Sequence, residues 1–481
     1  MSGIYGVVSE KDCLNDLFYG VDYHSHLGTE YGGLVVLGET FQRQIHNIAQ
    51  TQFKSKFFNE YHTLKGNKGI GAISSEEQPI YLNSKFGEFC VVTNGFIENS
   101  SILAEGLFKL GISFAEVSDQ GINQTELAAK IISQGSSIKE GIEKLFDMIE
   151  GSCSVLVLTR QGIYAARDRL GYTPLVIGQK LGSLAVTSET SAFPNNDFIV
   201  TKYVEPGEIV FLSEAQDISV KRTGASTKQT CSFLWIYTGF PASNYEGINT
   251  EVVRERCGRC LARRDKDIKP DLVCGVPDSG AAHAIGYAAE SGVPYRRPLV
   301  KYTPGYGRSY TPPEQTTRDL VAKMKLIPIS DIIKGNSIVV CDDSIVRGTQ
   351  LKNFTVKKLW DSGAREIHVR VACPPLLFPC RFNLSTRSIN ELAARRAIRA
   401  IEGRDLEDIS EYLDSRSQKY QEMVSWIKND LGVTTLAYQT IDDMVSAIGI
   451  DRDKLCLYCW TKEVSEYKSC GLSYKGECLK K

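Results

Sequence analysis

The sequence predicts an α+β domain over residues 1–225, followed by an α/β domain over residues 226–481. Three observations support this division. Short apolar runs separated by turn-forming residues dominate the first half, with only two helical segments between them. The polar, turn-rich segment 213–230 indicates a connection. Beyond it, strands alternate with glycine-containing loops and helices, the pattern of βαβ units on a parallel sheet.

Hairpins account for most of the first domain. Apolar runs flank a turn at Arg160–Gly162, and a second pair of runs flanks Lys180–Gly182. The run FCVVTNG is expected to end in a turn at Asn94–Gly95, a dipeptide typical of two-residue hairpin loops. The segments TELAAKIISQ and GIEKLFDMIEG are helix-like, which predicts a layered arrangement of sheet and helix.

Two strand–loop–helix segments organise the second domain. DLVCGV (271–276) precedes a glycine loop and the helix-like AAHAIGYAAES. SIVVCDD (337–343) precedes another glycine loop and the helix-like QLKNFTVKKLWDSG, after which REIHVRVA returns as a strand. Residues 386–450 are expected to be helical.

Composition excludes several classes of protein. The formal net charge is −1, so no overall field attracts nucleic acid or an anionic membrane surface. No apolar run approaches the roughly 20 residues that a membrane-spanning helix needs. The start MSGIYGVVSEKDC lacks the basic and apolar regions of a secretory signal, so a cytosolic location is expected.

The segment VVCDDSIVRGT (339–349) carries the clearest chemistry. An apolar strand delivers Asp342 and Asp343 to its carboxyl end, where α/β sheets bind ligands. Adjacent carboxylates suit ribose hydroxyls or a hard cation. The short loop before the helix offers hydroxyl and backbone donors that suit a phosphate monoester, at Ser344, Arg347, Gly348 and Thr349. Taken alone, an Asp–Asp pair more often only closes a strand.

The complete segment resembles the signature of type I phosphoribosyltransferases, and the chain as a whole resembles glutamine phosphoribosylpyrophosphate amidotransferases. The matching segments are the start MSGIYGVV, GVPDSGAAHAIGYA (275–288), a flexible flap (298–318), AKMKL (322–326), PPLLFPC (374–380) and NELAA (390–394). This resemblance implies an N-terminal four-layer αββα domain of the Ntn-hydrolase type and a type I phosphoribosyltransferase domain. No dinucleotide-binding glycine motif or Walker loop competes with it.

Family membership would assign the phosphoribosyl pyrophosphate site as follows. Asp278, Ser279, Gly280 and Lys325 join the loop 342–349 in binding the substrate. Mg²⁺ is held by Ser279, Asp342 and Asp343, while Lys301 and Arg308 neutralise the departing pyrophosphate. The flap reads KYTPGYGR where the family more often has an additional arginine, which leaves the acceptor open.

The chain has fourteen cysteines, two pairs of which have C-x-x-C spacing. Cys257 and Cys260 lie in a charged, helix-like segment and are expected to be structural thiols. Four others fall where the iron–sulfur subgroup of the family places the ligands of a [4Fe–4S] cluster: Cys231, Cys380, Cys456 and Cys459. Four thiolates match such a cluster in number, although structural Zn²⁺ or plain buried thiols are alternatives.

The first domain resembles a class II glutaminase that lacks its catalytic residues. Ser2 stands where the family has its nucleophilic cysteine. The segments AISS (72–75) and SHLG (25–28) each lack an arginine, and Gln124 in NQTE replaces the aspartate that pairs with the substrate ammonium. The oxyanion-hole pair Asn94–Gly95 remains. We therefore expect no glutaminase activity.

The resemblance implies an amidophosphoribosyltransferase reaction with ammonia, free or delivered by a partner, as in purine nucleotide biosynthesis. One alternative is a related enzyme that uses another amine. A second alternative is a non-catalytic regulatory partner that assembles with an intact homologue. The family suggests a homo-oligomer, either a dimer or a tetramer.

Overall fold

The computed structural model describes residues 2–27, 30–118, 121–215, 218–222, 228–302, 326–383 and 388–463. They fall into two compact units. The first includes Met1–Thr230 and the short segment Arg381–Leu384, and the second includes Cys231–Cys380 and Ser385–Lys462. Within these ranges, no helix is long and apolar enough to cross a bilayer.

The first unit contains two antiparallel sheets. The strands of the seven-stranded sheet are, in spatial order, Ile199–Tyr203, Val176–Lys180, Ser183–Thr187, Gly3–Ser9, Lys68–Ser74, Tyr31–Leu37 and Phe41–Asn47. Those of the six-stranded sheet are Ile218–Arg222, Glu208–Leu212, Gly162–Ala166, Gly151–Thr159, Gly87–Ile97 and Ile80–Ser84. The two hairpins predicted at Arg160–Gly162 and Lys180–Gly182 are confirmed.

Helices cover the outer faces of both sheets. Apolar side chains from the two inner faces, such as Ile70 and Leu156, form one core cluster between the sheets. The outer face of the seven-stranded sheet packs against the helices Leu14–Asp22 and Phe53–Phe57. The outer face of the six-stranded sheet packs against Ser100–Lys109, Gln124–Ile132 and Ile138–Met148. The layers are therefore αββα, as predicted.

Side-chain caps explain where two of these helices begin. The Asn123 side chain accepts a hydrogen bond from the Glu126 N–H at 3.0 Å, and Ser137 accepts one from Glu140 at 3.2 Å. Each cap satisfies a backbone donor that the first helical turn leaves unpaired.

Two expectations for this unit are wrong. Asn94 and Gly95 do not form a hairpin turn, because they lie inside the strand Gly87–Ile97, opposite Ser154 and Cys153 of the neighbouring strand. The segment 213–230 is not only a connection, because it contains the strand Ile218–Arg222 at the sheet edge. In both places, pairing with a neighbouring strand overrides the local preference for a turn.

The second unit is built on a four-stranded parallel sheet, as predicted. Its strands are, in spatial order, Leu272–Gly275, Ser337–Asp342, Glu366–Val371 and Thr435–Tyr438. Two short antiparallel pairs are also present, Asn244–Tyr245 with Ile248–Asn249, and Leu299–Lys301 with Leu326–Pro328. Central strands of a parallel sheet are buried on both faces, which explains the apolar run in Ser337–Asp342.

Helices lie between the parallel strands in sequence, and others precede the first strand or follow the last. Their bounds are Thr250–Arg264, Ala281–Ser291, Ser330–Ile333, the π-helical turn Leu351–Val356 with its continuation Lys357–Asp361, Ala393–Glu402, Gln418–Leu431, Ile441–Ile448 and Tyr458–Thr461. The prediction that residues 386–450 are helical throughout is wrong, because Thr435–Tyr438 is the fourth strand of the sheet. This strand is short and follows a helix directly, so its sequence carries little strand signal.

Candidate active site

Two loops of the second unit meet at the carboxyl ends of adjacent parallel strands. The first loop follows Leu272–Gly275 and the second follows Ser337–Asp342. The Val276 N–H donates to the Cys341 carbonyl at 2.9 Å, which joins the first loop to the second strand. This edge of a parallel sheet is where α/β folds bind their ligands.

A pair of buried carboxylates lies at the centre of this edge. Asp342 and Asp343 are 9% and 4% exposed. Burial raises the pKa of both carboxyls, and the Asp343 charge raises that of Asp342 further. Hydroxyl groups approach each of them, since Ser279 Oγ donates to Asp342 at 3.3 Å and Ser344 Oγ donates to Asp343 at 2.5 Å.

A close approach between two backbone segments explains why a glycine precedes the helix Ala281–Ser291. Gly280 immediately precedes the helix Ala281–Ser291, and a Cβ built at this position would lie 2.1 Å from the Cys341 carbonyl oxygen. Only glycine therefore lets the helix N-terminus reach the strand end that carries the carboxylates.

Neighbouring residues donate hydrogen bonds to three carbonyl groups of the second loop. Val346 O accepts from the Ala393 N–H at 2.7 Å, Arg347 O from the Arg396 guanidinium at 3.2 Å, and Gly348 O from the Lys352 N–H at 2.9 Å. With these acceptors occupied, the N–H groups and hydroxyls of the loop are the polar groups suited to an anion.

The remaining predicted residues of this site differ in their surroundings. Lys301 Nζ lies 2.7 Å from Asp278 Oδ2, an exposed ion pair beside the first loop. The Arg347 side chain instead pairs with Glu391 at 2.5 Å, and Thr349 is exposed. Arg308 and Lys325 lie outside the described residues. The site thus brings together the two carboxylates, Ser279, Ser344 and the two loops.

In the first unit, the candidate nucleophile Ser2 lies at one end of a series of hydrogen bonds between protein groups. Ser2 is 7% exposed, and its Oγ donates to Ser74 Oγ at 3.2 Å. Ser74 also accepts from Gln78 Nε2 at 2.6 Å. The Gln78 amide in turn bonds the Thr93 backbone, with N–H to Oε1 at 2.8 Å and Nε2 to the carbonyl at 3.3 Å. Gln78 and Thr93 were not predicted as site residues.

Gln124 is also engaged by the protein itself. The side-chain Oε1 accepts a hydrogen bond from the Ile97 N–H at 2.8 Å, and the backbone N–H of Gln124 donates to the Glu76 carboxylate at 2.9 Å. Asn94 is 4% exposed, and its Oδ1 has no hydrogen-bond partner among the residues that the structure describes. The adjacent Gly95 has φ +143° and approaches the Ser152 carbonyl too closely for a side chain. Among the predicted glutaminase features within the described ranges, the Asn94 side-chain oxygen is thus an uncommitted group.

The four predicted ligand thiols of the second unit lie close together. Cys459 has its pKa raised chiefly by the Cys380 thiol, which is within hydrogen-bonding distance, and further by burial and by Cys456 and Cys231. Hydrogen bonds join the segments that carry them, from the Ser232 hydroxyl to Cys456 O at 3.0 Å and from the Leu377 N–H to Cys459 O at 3.0 Å. In the described ranges, no three His, Cys, Asp or Glu side chains converge on one metal ion.

The other C-x-x-C pair has a different environment. Cys257 and Cys260 lie on the helix Thr250–Arg264, as expected. Cys257 is fully buried, and burial raises the pKa of both thiols.

Known proteins resemble this chain over nearly its whole length. A family model described as a glutamine amidotransferase domain matches residues 68–195. The amidophosphoribosyltransferase of Pyrococcus horikoshii is 34% identical, with 82% of this chain and 86% of the relative covered. That of Methanocaldococcus jannaschii is 29% identical, with 96% and 97% covered. The structure of B. subtilis glutamine phosphoribosylpyrophosphate amidotransferase complexed with ADP and GMP matches with a TM-score of 0.82, 28% identity, and 96% and 97% coverage.

The close contact at Gly280 predicts a strong local effect of substitution. Gly280→Ala should lower stability by about 1–3 kcal/mol or more, because the new methyl group overlaps the Cys341 carbonyl. The free energy of unfolding is measured by denaturant titration, with intrinsic fluorescence as the signal for the second unit. Gly292→Asn at the other end of the same helix is the control, since its space is open and asparagine tolerates its φ of +74°. Equal stability of the two variants would contradict the steric argument.

Proposed function

The chain belongs to the amidophosphoribosyltransferase family, and from this membership we propose that it forms 5-phosphoribosylamine by displacing pyrophosphate from phosphoribosyl pyrophosphate with ammonia. The reaction belongs to purine nucleotide biosynthesis in this family. The observation that carries the proposal is the buried pair Asp342–Asp343 between two loops at the sheet edge. The complete VVCDDSIVRGT loop favours catalysis over a purely regulatory role.

The chain's own residues would bind and orient the substrate. The loop Ser344–Thr349 suits the 5-phosphate, and the carboxylates suit the ribose hydroxyls. Lys301, beside Asp278, would face the pyrophosphate together with Arg308 of the flap. Unprotonated ammonia needs little base assistance, so holding it against the anomeric carbon supplies much of the rate.

The donor set of the site fits Mg²⁺. Two buried carboxylates and the Ser279 hydroxyl are hard oxygen ligands, and Mg²⁺ commonly binds one or two carboxylates together with substrate phosphates. When bound, the ion would neutralise charge on the leaving pyrophosphate. Asp342, Asp343 and Ser279 would hold it.

Removing one carboxylate should abolish substrate binding. Wild-type protein should be stabilised by phosphoribosyl pyrophosphate with Mg²⁺, by roughly 2.7 kcal/mol at a hundred times Kd. Asp343→Asn should lose most of this shift and most pyrophosphate release with ammonia. Thermal denaturation and a pyrophosphate assay measure both effects. Asp361→Asn, at an exposed aspartate of the same unit, is the control. Full substrate binding by Asp343→Asn would contradict the assignment.

We further infer that the first unit does not hydrolyse glutamine. The Ser2 and Ser74 hydroxyls bond one another, and the Gln124 side chain bonds the chain backbone. The carboxylate of glutamine would lack the arginine that the family provides, and its ammonium group would lack the aspartate. Leaving the zwitterionic end of glutamine unpaired in a buried pocket costs on the order of several kcal/mol.

Restoring only the nucleophile should therefore not restore activity. Ser2→Cys and wild type are both expected to release no glutamate from glutamine in the presence of phosphoribosyl pyrophosphate. Ammonia-dependent pyrophosphate release by the same preparations shows that each protein is folded. Turnover of glutamine by wild type would overturn the inference, and turnover by Ser2→Cys alone would show that the pocket still binds glutamine.

The cysteine site fits a [4Fe–4S] cluster better than a single zinc ion. The four thiols interact with one another, yet no three of them converge on one metal ion in the described residues. A cubane cluster binds each thiolate to a different iron, so its ligands are spread more widely than those of one ion. The cluster would be structural, linking the segments of Cys231, Cys380, Cys456 and Cys459.

Protein purified without oxygen should be brown and contain about four iron and four sulfide per chain. Cys459→Ser should lose the colour and the iron, because an alkoxide suits the cluster less well than a thiolate. Cys260→Ser, in the other C-x-x-C pair, is the matched control and should keep both. One zinc per chain without iron would replace the cluster by a zinc site.

A further inference from the structure

The end of the helix Gln418–Leu431 lies against the second loop of the candidate site. Leu431 is 2% exposed, and its Cδ2 lies 3.6 Å from the position that a Cβ would take at Gly348. Trp360, on the helix that follows the loop, donates from its indole N–H to the Gly432 carbonyl at 2.9 Å. The loop region and this helix end are thus joined by apolar packing and by a hydrogen bond.

Asp430 lies at the same helix end and pairs with two cations. Its Oδ1 is 2.8 Å from Lys352 Nζ, and its Oδ2 is 3.6 Å from the Arg396 guanidinium. A carboxylate in the last turn of a helix is unfavourable by itself, because the helix dipole places partial negative charge there. The two cations offset this repulsion, and they tie the helix end to residues that border the loop.

Arg396 connects Asp430 with the backbone of the loop. Its Nη1 donates to the Arg347 carbonyl at 3.2 Å, while its Nη2 faces Asp430. The ring of Trp426, one turn before Asp430, has its centre 5.8 Å from the Arg396 Cζ. A planar guanidinium presents several donors in a fixed geometry, so one side chain holds both partners at once.

This hydrogen bond fixes the direction of a backbone N–H group in the loop. The N–H and C=O of one trans peptide unit lie in a plane and point in opposite directions. The Arg347 carbonyl belongs to the same peptide unit as the Gly348 N–H, so bonding the carbonyl to Arg396 directs that N–H away from Arg396. The neighbouring peptide is fixed in the same way, because the Val346 carbonyl accepts from the Ala393 N–H at 2.7 Å.

We propose that Arg396, held by Asp430, is a positioning residue for the 5-phosphate of the substrate, because it orients the Arg347–Gly348 peptide so that the Gly348 N–H faces the phosphate. Affinity for the phosphorylated end then depends on a side chain that does not touch the substrate. Binding of the pyrophosphate end, at the first loop, does not depend on it. This inference rests on the proposed function of the Asp342–Asp343 site.

Separate ligands for the two ends of the substrate test the proposal. Arg396→Ala should weaken binding of ribose 5-phosphate by about five-fold, the usual effect of losing one hydrogen bond. Binding of pyrophosphate with Mg²⁺ should be unchanged. Isothermal calorimetry measures both values of Kd, and kinetics should show KM for phosphoribosyl pyrophosphate raised with kcat little changed. Arg396→Lys keeps the charge but not the fork of donors, so it should show a similar loss.

A second variant and a control separate positioning from general loss of structure. Asp430→Asn should also weaken binding of ribose 5-phosphate, and together with Arg396→Ala it should lose less than the product of the two single losses. Arg399→Ala, on the same helix as Arg396, removes a guanidinium that bonds Asp405 and Asn390, and it should leave both affinities unchanged. Thermal denaturation without ligand shows that each variant is folded.

Three results would overturn the proposal: wild-type affinity of Arg396→Ala for ribose 5-phosphate, an equal loss of affinity for pyrophosphate, or full recovery of binding by Arg396→Lys. The last result would mean that positive charge alone attracts the phosphate. Failure of wild type to bind phosphoribosyl pyrophosphate at all would instead overturn the proposed function.

Discussion

Burial of two adjacent carboxylates at one strand end constrains the whole second unit. Asp342 and Asp343 repel each other and are shielded from water, so each must be stabilised by nearby donors or by a cation. Arg254 acts on Asp343 from a distance, but its guanidinium already donates to the carbonyls of Trp235 and Gly239. The serine hydroxyls, the glycine contact and the two loops are arranged around this buried carboxylate pair.

The sequence predicts the second unit well where burial dominates. Strands Leu272–Gly275 and Ser337–Asp342 are recognisable by their apolar runs, which parallel strands covered on both faces require. Glu366–Val371 is recognisable instead by its alternation of polar and apolar residues. Thr435–Tyr438 was missed, since it is short and lies at the sheet edge after a helix. The hairpin turn predicted at Asn94–Gly95 was wrong for another reason. This dipeptide favours turns, but strand pairing along Gly87–Ile97 overrides that preference.

The candidate site was predictable only where its residues are adjacent in sequence. The loop following Asp342 is a continuous motif, and its position on the fold follows from the strand before it. Gln78 has no such signal, because it acts through a partner elsewhere in the chain. Its side-chain amide bonds the Thr93 backbone. Contacts of this kind leave no periodicity and become visible only in three dimensions.

The chain of hydrogen bonds from Ser2 through Ser74 and Gln78 to Thr93 has an evolutionary consequence. Each polar group is satisfied by another protein group, so the pocket is stable without a ligand. Replacing Ser2, Ser74 or Gln78 singly breaks this pairing and leaves a buried polar group unpaired. Under the proposed loss of glutaminase activity, a return at these positions must therefore pass through less stable intermediates, which makes the loss difficult to reverse.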